Sequence, residues 1–369
     1  MCSKPTAISL FSGMGGDSLG IQEAGFDVIA FNEFDKAAIS SHLKNFPHSV
    51  LIQDLTQKKP KDVSNIQLVP DEIFNKYKDK IDLVFAGHPC QGFSNGGKKL
   101  PDDPRNTLFR EFARVCRLVK PKYIIGENVD GLLCRKTSTG ENYIDVIVKE
   151  FNDIGYNVVY QVCHAVKYGV PQLRKRLVYV GIRKDLNKTF TFPEPLNNGK
   201  TNLPNIKDII KFDMKGAIKI EPTDFDMTSI PDDCVIKDLN NSDVEVPHEV
   251  HPYLRLKTKT RNQEYGGKIH VNMLSFAKRD SPIHCEIIDI RKPSKTIICS
   301  YDHQPRLFVP LQNKNGYYIR CILPDELKQI QGFPADFKLY GSTKDKIKQI
   351  GNAAPPTLVK QIVKKLTEC

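Results

Sequence analysis

Cys90 stands in a segment whose residue types suit a reactive thiol, FAGHPCQGFS at positions 85–94. The cysteine follows a proline, lies between Gly87 and Gly92, and comes just after the apolar run Ile81–Ala86. If that run is a buried strand, it delivers the thiol to the carboxyl edge of a sheet, where open α/β folds bind their ligands. An isolated cysteine more often fills a gap in a core. The proline and the glycines favour a chemical role over that alternative.

Glu127 supplies a carboxyl group in a similar position. The apolar run Tyr123–Ile125 ends in Gly-Glu-Asn-Val, and if this strand is parallel to the cysteine strand, both side chains reach one edge. A partly desolvated carboxyl beside a thiol should have a raised pKa and hold a proton at neutral pH. The alternative is a glutamate that caps a helix or pairs with a cation.

Two arginines precede a further apolar run, Leu177–Ile182, in the segment YGVPQLRKRLVYVGIR. Strand alternation would point Arg174 and Arg176 the same way, as fixed cations for a carbonyl oxygen or a phosphate. Two arginines alone usually mark a solvated face, so this pattern leaves both interpretations open.

A glycine-rich turn follows the first apolar run, in SLFSGMGGDSLG. Such a turn lets the backbone approach a ligand closely and leads into a helix whose first amides face that ligand. Position 18, where the dinucleotide fingerprint has its third glycine, is a serine. Glu33 lies about 20 residues beyond the turn, where a carboxylate accepts hydrogen bonds from ribose hydroxyls, and Phe34 could stack on an adenine. An ordinary glycine turn with a surface acid is the alternative.

These residues need a sheet to position them, and the first half of the chain has the pattern of one. Short, unbroken apolar runs alternate with amphipathic segments, which is typical of a parallel sheet with helices on both faces. The clearest helix is predicted at Thr107–Val119, and two more at Pro324–Gln331 and Pro356–Leu366. The fold class is therefore predicted as a doubly wound α/β sheet.

Composition limits the function classes. The 369 residues carry a formal charge of +11, which suits a polyanionic partner such as nucleic acid. The ten cysteines include no CxxC and no Cys/His cluster at zinc spacing, so we expect no disulfide framework and no metal. We find no signal-peptide pattern and no membrane-length apolar run, and we expect a cytoplasmic or nuclear protein.

The segment 186–285 differs from its surroundings, with frequent Pro and Asn, many charges and no alternation of strands and helices. We predict that it is a second domain or a large insertion, which divides the chain into parts at 1–185, 186–285 and 286–369. Within the middle part, RLKTKTR has basic residues at alternate positions: Arg255, Lys257, Lys259 and Arg261. On a strand they would share one face about every 7 Å, which suits a phosphate backbone, although a solvated strand fits equally well.

The ordered set of these motifs resembles the signature of DNA (cytosine-5) methyltransferases of the small bacterial or viral restriction-modification type. The matching segments are FSGMGG, NEFD, QDLT, GHPCQGFS, GENV, PQLRKR and QIGNAAPP. The resemblance covers almost the whole chain apart from the middle segment. It implies a Rossmann-like S-adenosylmethionine-dependent methyltransferase sheet with a smaller, mostly irregular or β, target recognition domain. On this resemblance, 1–185 is a catalytic and cofactor-binding domain, 186–285 a DNA-binding recognition domain, and 286–369 a supporting segment with a returning helix.

The resemblance also implies a mechanism. The cysteine matching Cys90 adds to C6 of a cytosine that has been flipped out of duplex DNA, while the glutamate matching Glu127 holds ring N3. Carbon 5 then accepts the methyl group, and loss of the C5 proton expels the thiol. The arginine matching Arg176 contacts the cytosine O2, and Arg174 is expected to help hold the site together. Gln91 and Ser94 are candidates for filling the space that the base leaves, in a loop expected to close over it.

The cofactor implied is S-adenosylmethionine, with S-adenosylhomocysteine as product. Asp54 would accept a hydrogen bond from the adenine amino group. The full set of implied cofactor contacts is Phe11, Gly13, Gly15, Glu33, Phe34, Asp54, Leu55, Pro89, Leu108 and Asn352. Two departures stand out: the chain has no tryptophan, so Phe34 must supply the stacking face, and His88 precedes the Pro-Cys pair. In RCILPDELKQIQGFP, Arg320 and Glu326 are expected to be structural.

The partner implied is double-stranded DNA, with the enzyme itself a monomer, and a cognate restriction endonuclease acting on the same site is a candidate second partner. Three alternatives stay open. A nicotinamide-dependent dehydrogenase would leave Cys90, Glu127 and Arg176 unexplained. A tRNA methyltransferase of the same family would carry a Cys-Phe-Thr tripeptide that we do not find. A DNA-binding protein without catalysis would have no need of the complete residue set.

Overall fold

The structure is a computed structural model of the 369-residue chain. It describes residues 3–60, 62–89, 107–196, 203–220, 227–238, 256–258, 263–265, 268–270, 274–276, 286–302 and 307–368. Within these ranges, no helix combines the length and the apolar character that crossing a membrane would require.

A seven-stranded sheet organises the first half of the chain, in the order β3-β2-β1-β4-β5-β7-β6. Neighbouring strands are parallel except at β7, which runs antiparallel to both β5 and β6. The strands are β1 (Thr6–Leu10), β2 (Asp27–Asn32), β3 (Val50–Leu51), β4 (Leu83–Ala86), β5 (Tyr123–Asn128), β6 (Tyr156–His164) and β7 (Lys175–Arg183).

Helices cover both faces of this sheet, as a doubly wound fold requires. The helices of this half are α1 (Gly16–Glu23), α2 (Lys36–Asn45), α3 (Asp71–Asn75), α4 (Phe109–Val119) and α5 (Tyr143–Asp153). Alternate strand residues face opposite ways: Val84 packs with α4 and α5, whereas Phe85 packs with the C-terminal helix α8 (Pro356–Thr367). Both faces are apolar, which explains the unbroken apolar runs in the sequence.

The last helix returns to the start of the chain by packing closely on α1. A Cβ added to Gly20 would come 2.5 Å from the carbonyl oxygen of Pro356, and one added to Gly16 would come 2.3 Å from that of Ala354. Only glycine permits this approach of the two backbones. The glycines of GMGGDSLG therefore serve helix packing as well as the turn.

A second, five-stranded sheet lies in the C-terminal half, with the order β14-β15-β16-β8 and with β9 paired to β15. Its strands are β8 (Ile218–Ile220), β9 (Ile236–Lys237), β14 (Glu286–Ile287), β15 (Leu307–Asn313) and β16 (Gly316–Cys321). It therefore combines strands from the predicted recognition segment and the predicted supporting segment. The boundary at residue 286 stays a prediction, and it falls within this sheet.

Short antiparallel pairs and two further helices complete the described structure. The pairs join β10 (Leu256–Thr258) to β13 (Leu274–Phe276), and β11 (Gln263–Tyr265) to β12 (Lys268–His270). The helices are α6 (Pro324–Ile330) and α7 (Thr343–Asn352). Arg320 and Glu326 form a buried, bidentate ion pair that joins β16 to α6. Its two N···O distances are 2.7 and 2.8 Å.

Candidate active site

The predicted catalytic segments meet at the carboxyl edge of the main sheet. Strands β4 and β5 are parallel, with Ala86 opposite Gly126, so the chain leading to Cys90 and the side chain of Glu127 reach the same edge. A Cβ added to Gly87 would lie 3.9 Å from Oε2 of Glu127. Cys90 itself lies outside the described residues, as do Gln91 and Ser94.

Glu127 forms an ion pair with Arg176. Nε of Arg176 lies 2.7 Å from Oε1 of Glu127, and each side chain is 12% exposed. The contact exists because β7 runs antiparallel beside β5, which brings its first residues to the end of β5. The ion-paired glutamate that the sequence left open as an alternative is therefore present, and its partner, Arg176, is another of the predicted catalytic residues. The second carboxylate oxygen faces Gly87.

Arg174 has different surroundings from Arg176. Its guanidinium is buried and donates to the backbone carbonyl oxygens of Ile297, Gly351 and Ala353. These contacts hold the backbone on both sides of Asn352, a predicted cofactor residue. They indicate a positioning role through the C-terminal segment, and a direct catalytic role for Arg174 stays a prediction.

Asp17 is a buried carboxyl near the site that the sequence analysis missed. Ser9 of β1 donates a short hydrogen bond to Oδ2 of Asp17. Burial raises the pKa of Asp17 to about 7, and the charge of Glu127 acts in the same direction. The sequence offered one indication of this residue, since Asp17 stands in the first turn of the helix that follows the glycine turn. An acid at such a position is commonly explained by its favourable interaction with the helix dipole.

The predicted cofactor residues of the first strands lie together at the carboxyl ends of β1, β2 and β3. The amide of Gly13 donates to Oε2 of Glu33 at 2.8 Å, while Oε1 accepts from the amides of Phe34 and Asp35. Burial raises the pKa of Glu33 although these hydrogen bonds oppose it. The ring of Phe34 is 62% exposed.

The turn between β1 and α1 takes conformations with positive φ at Phe11, Gly13 and Gly15. A Cβ on Gly13 would meet no atom within 4 Å, whereas one on Gly15 would come 2.4 Å from the ring of Phe46. The turn therefore has open space beside Gly13 and tight packing beneath Gly15. An open space of this kind suits a bound ligand.

Ser18 occupies the position of the third glycine of the dinucleotide fingerprint, and its side chain makes a structural contact there. Its hydroxyl lies 3.0 Å from Nε2 of His42 on α2, and the imidazole stacks on Phe31 with ring centroids 3.7 Å apart. Burial lowers the pKa of His42 to about 3, so the ring is neutral. The serine thus joins α1 to α2 beneath the turn.

Asp54 follows β3, and hydrogen bonds from Thr56 and Gln57 to its carboxylate lower its pKa. Leu55 beside it is 77% exposed. Of the remaining predicted cofactor residues, Pro89 is half-buried after β4, Leu108 directly precedes α4, and Asn352 ends α7. An ion pair of 2.6 Å between Lys348 and Asp35 fastens α7 to the start of α2.

The predicted phosphate-binding residues fall mostly outside the described residues, namely Arg255, Lys259 and Arg261. Lys257 lies in β10, which pairs with β13. The shared basic face stays a prediction. Across the described ranges, no group of three or more His, Cys, Asp or Glu side chains could hold a metal ion.

Comparisons with known proteins agree with this architecture. The model of the C-5 cytosine-specific DNA methylase family matches residues 6–368. The chain is 32% identical to the type II methyltransferase M.FnuDI of Fusobacterium nucleatum, over 98% of the chain and 94% of that protein. It is 33% identical to the type II methyltransferase M1.HphI of Haemophilus parahaemolyticus, over 98% of the chain and 86% of that protein.

The fold is shared with solved methyltransferase structures. The crystal structure of the S. pombe Dnmt2 methyltransferase has a TM-score of 0.64 at 16% identity, with 99% of each chain covered. The resemblance predicted from the motifs and the predicted fold class are both confirmed. The chain belongs to the family of C-5 cytosine-specific DNA methylases, and it is a DNA (cytosine-5)-methyltransferase.

Proposed function

We propose that this enzyme transfers a methyl group from S-adenosylmethionine to carbon 5 of a flipped-out cytosine in a specific duplex DNA sequence, through a covalent bond between Cys90 and C6. The observation that carries the proposal is the mostly buried pair of Glu127 and Arg176 at the sheet edge where the chain leads to Cys90. A carboxyl and a guanidinium held there can form hydrogen bonds with N3 and O2 of one pyrimidine ring.

The chemistry follows from the poor nucleophilicity of cytosine C5. The Cys90 thiolate adds to C6, and the electron pair of the C5–C6 double bond moves to C5 and towards N3. The Glu127 carboxylate takes up a proton when the cytosine binds, and sharing that proton with N3 stabilises the charge, while Arg176 donates to O2. After C5 has gained the methyl group, a base or water removes the C5 proton, the double bond re-forms, and the thiolate leaves.

The described residues fit the cofactor. Oε2 of Glu33 accepts one hydrogen bond, from Gly13, and a carboxylate oxygen has capacity for a second, from a ribose hydroxyl. Phe34 presents an exposed ring for the adenine, Asp54 an acceptor for its amino group, and the space beside Gly13 is open. When bound, S-adenosylmethionine would supply an electrophilic methyl group. Leu55, Leu108, Pro89 and Asn352 would line the same pocket.

Duplex DNA is the proposed substrate, because a stacked base cannot present C6 to a thiolate and must be flipped out. Gln91 and Ser94 would occupy the space that the base leaves, and the RLKTKTR segment would follow the phosphates. The relatives of 32–33% identity over nearly the whole chain are type II methyltransferases, and the matching family model is that of C-5 cytosine-specific DNA methylases, which supports DNA over tRNA. By the same likeness we propose a monomer in the cytoplasm that protects DNA from a cognate endonuclease.

The direct test uses duplex DNA with 5-fluorocytosine at the target position, since fluorine at C5 blocks the final elimination. The site is first found by expressing the gene in cells without cytosine methylation and mapping 5-methylcytosine. We expect a stable protein–DNA adduct with the wild-type enzyme and methyl donor, and none with Cys90→Ser. Methylation of ordinary DNA without any adduct would contradict the covalent mechanism. Methylation of tRNA in place of DNA would contradict the proposed substrate.

A further inference from the structure

His88 is a buried imidazole that the proposed mechanism leaves without a role. It lies two residues before Cys90, just beyond the end of β4, and is 2% exposed. Its Nε2 is 3.1 Å from the hydroxyl of Tyr179 on β7, and its Nδ1 is 3.1 Å from the side-chain nitrogen of Asn128 on β5. The ring therefore touches the strands that carry Glu127 and Arg176.

The contacts fix which nitrogen of His88 carries the proton. Oδ1 of Asn128 accepts from the amide of Val129 at 2.8 Å, and Nδ2 also donates to the carbonyl of His88 at 3.2 Å. Reversing the amide would lose both bonds, so Nδ2 donates to Nδ1 and that nitrogen has no proton. The proton of the neutral ring then lies on Nε2, which donates to Tyr179. Burial lowers the pKa of His88 to about 4, in keeping with a neutral ring.

Tyr179 is held rigidly as the other end of this chain of hydrogen bonds. A Cβ added to Gly126 would come 1.9 Å from Cζ of Tyr179, so the tyrosine ring fills the space over the residue before Glu127. The rings of Phe112 and Phe151 pack around it, with centroid distances of 6.3 and 5.9 Å. A tyrosine hydroxyl in such apolar surroundings needs a hydrogen-bond partner, and His88 provides it.

We infer that His88 is a positioning residue for methyl transfer, whose neutral imidazole, with the proton on Nε2, joins the ends of β4, β5 and β7 through Asn128 and Tyr179. This inference rests on the proposed function. The imidazole fixes the peptide that leads to Cys90 against the end of β5, so that the thiol, Glu127 and Arg176 keep their relative places. Because a displacement of about 1 Å costs on the order of 100-fold in rate, losing this link should lower kcat rather than raise KM.

The test compares His88→Gln, His88→Leu and Tyr179→Phe with the control Tyr156→Phe. Tyr156 is equally buried in the same sheet, and its hydroxyl donates to the carbonyl of Pro121 at 2.8 Å. Glutamine offers one acceptor and one donor, as the neutral imidazole does, whereas leucine offers neither. We expect His88→Leu and Tyr179→Phe to lower kcat about 10- to 100-fold at unchanged KM for S-adenosylmethionine. His88→Gln should recover most of this loss, and Tyr156→Phe should lower the unfolding midpoint alone.

A kcat for Tyr179→Phe equal to that of Tyr156→Phe, or a His88→Gln variant as slow as His88→Leu, would overturn the inference. Nitrogen-15 spectra of histidine-labelled wild-type enzyme provide a test that needs no variant: they should show an unprotonated Nδ1 and a protonated Nε2 for His88 at neutral pH, and the opposite tautomer would sink the inference. The activity of Cys90→Ser in the same assay distinguishes a failure of the proposed function from a failure of the role inferred for His88. Full activity of Cys90→Ser contradicts the proposed function, whereas an inactive Cys90→Ser with fully active His88→Leu contradicts only the role of His88.

Discussion

Nε of Arg176 lies 2.7 Å from Oε1 of Glu127, across two neighbouring strands that run in opposite directions. The pair lies at the edge where the chain leads to Cys90, and the backbones of both residues belong to strands that pair without a register shift. A site built on strands in this way keeps its geometry because the strands themselves are fixed by packing on both faces.

The Arg176 side chain can be tested by the change Arg176→Lys. Lysine keeps the charge but loses the planar fork that can hold a carboxylate and a carbonyl oxygen together. We expect kcat for DNA methylation to fall on the order of 100- to 1,000-fold, as for loss of one donor to a developing oxyanion, with KM for S-adenosylmethionine unchanged. Arg183→Lys, at the other end of the same strand, is the control and should keep the wild-type kcat. Equal kcat values for the two variants would remove Arg176 from the mechanism.

The buried Asp17 should give the enzyme a specific dependence of stability on pH. Its pKa is about 7 in the folded protein against an ordinary value of 3.8, so between these values the folded state binds a proton that the unfolded state does not. The free energy of unfolding therefore falls as pH rises through this window. The difference of about three in pKa corresponds to roughly 4 kcal/mol, lost fully above pH 7.

The variant Asp17→Asn isolates this effect, because asparagine resembles the protonated carboxyl. Urea unfolding should show that the substitution increases the free energy of unfolding by more at about pH 8 than at about pH 5, the difference between the two increases being on the order of 2–3 kcal/mol. His42 and His88 also titrate away from their ordinary range, but they contribute equally to the wild-type protein and the variant and cancel in the difference. A stability difference between the two proteins that is the same at both pH values would contradict the raised pKa.

The sequence predicted the buried strands of the main sheet better than its edge strand. The strands β1, β4, β5 and β7 were predictable, because strands covered on both faces are unbroken apolar runs. Strand β6 was missed: it forms the edge of the sheet, and its residues Val159 and Tyr160 are partly exposed, so no apolar run marks it. The motifs indicated the family over almost the whole chain, the middle segment excepted.

The sequence predicted the geometry of the site less well than it predicted the strands. That Glu127 and Arg176 touch depends on the insertion of antiparallel β7 between β5 and β6, which no local pattern encodes. Alternation suggested one role for Arg174 and Arg176, yet Arg174 precedes the first residue of β7 and turns to the carbonyl groups of the C-terminal segment. Asp17 and His88 lie near groups that are distant in sequence, Glu127 and Tyr179, and only the fold brings them together.

The ion pair of Arg320 and Glu326 should be important for stability. Both side chains are buried, and Arg320 also donates to the carbonyl oxygens of Lys211 and Asp213, linking the recognition segment to β16. Glu326→Gln leaves an arginine charge buried without its partner, which costs about 3–5 kcal/mol in the free energy of unfolding. Arg291→Met removes two more exposed ion pairs, with Asp233 and Asp289, and should cost much less. If urea unfolding gives Glu326→Gln and Arg291→Met equal losses in the free energy of unfolding, the prediction that the buried pair matters more for stability is wrong.

The basic segment RLKTKTR predicts a salt effect on DNA binding. If Arg255, Lys257, Lys259 and Arg261 share one face of a strand and follow the phosphates, the double change Lys257→Ala/Lys259→Ala should remove about two phosphate contacts. The slope of log K against log salt then falls in magnitude by about 1.8, and affinity falls similarly for specific and unrelated duplexes. The matched control is Lys44→Ala/Lys364→Ala, which removes the same charge from exposed positions on α2 and α8. Binding titrations between about 50 and 200 mM salt distinguish the two, because a merely solvated strand would give both double variants the wild-type slope.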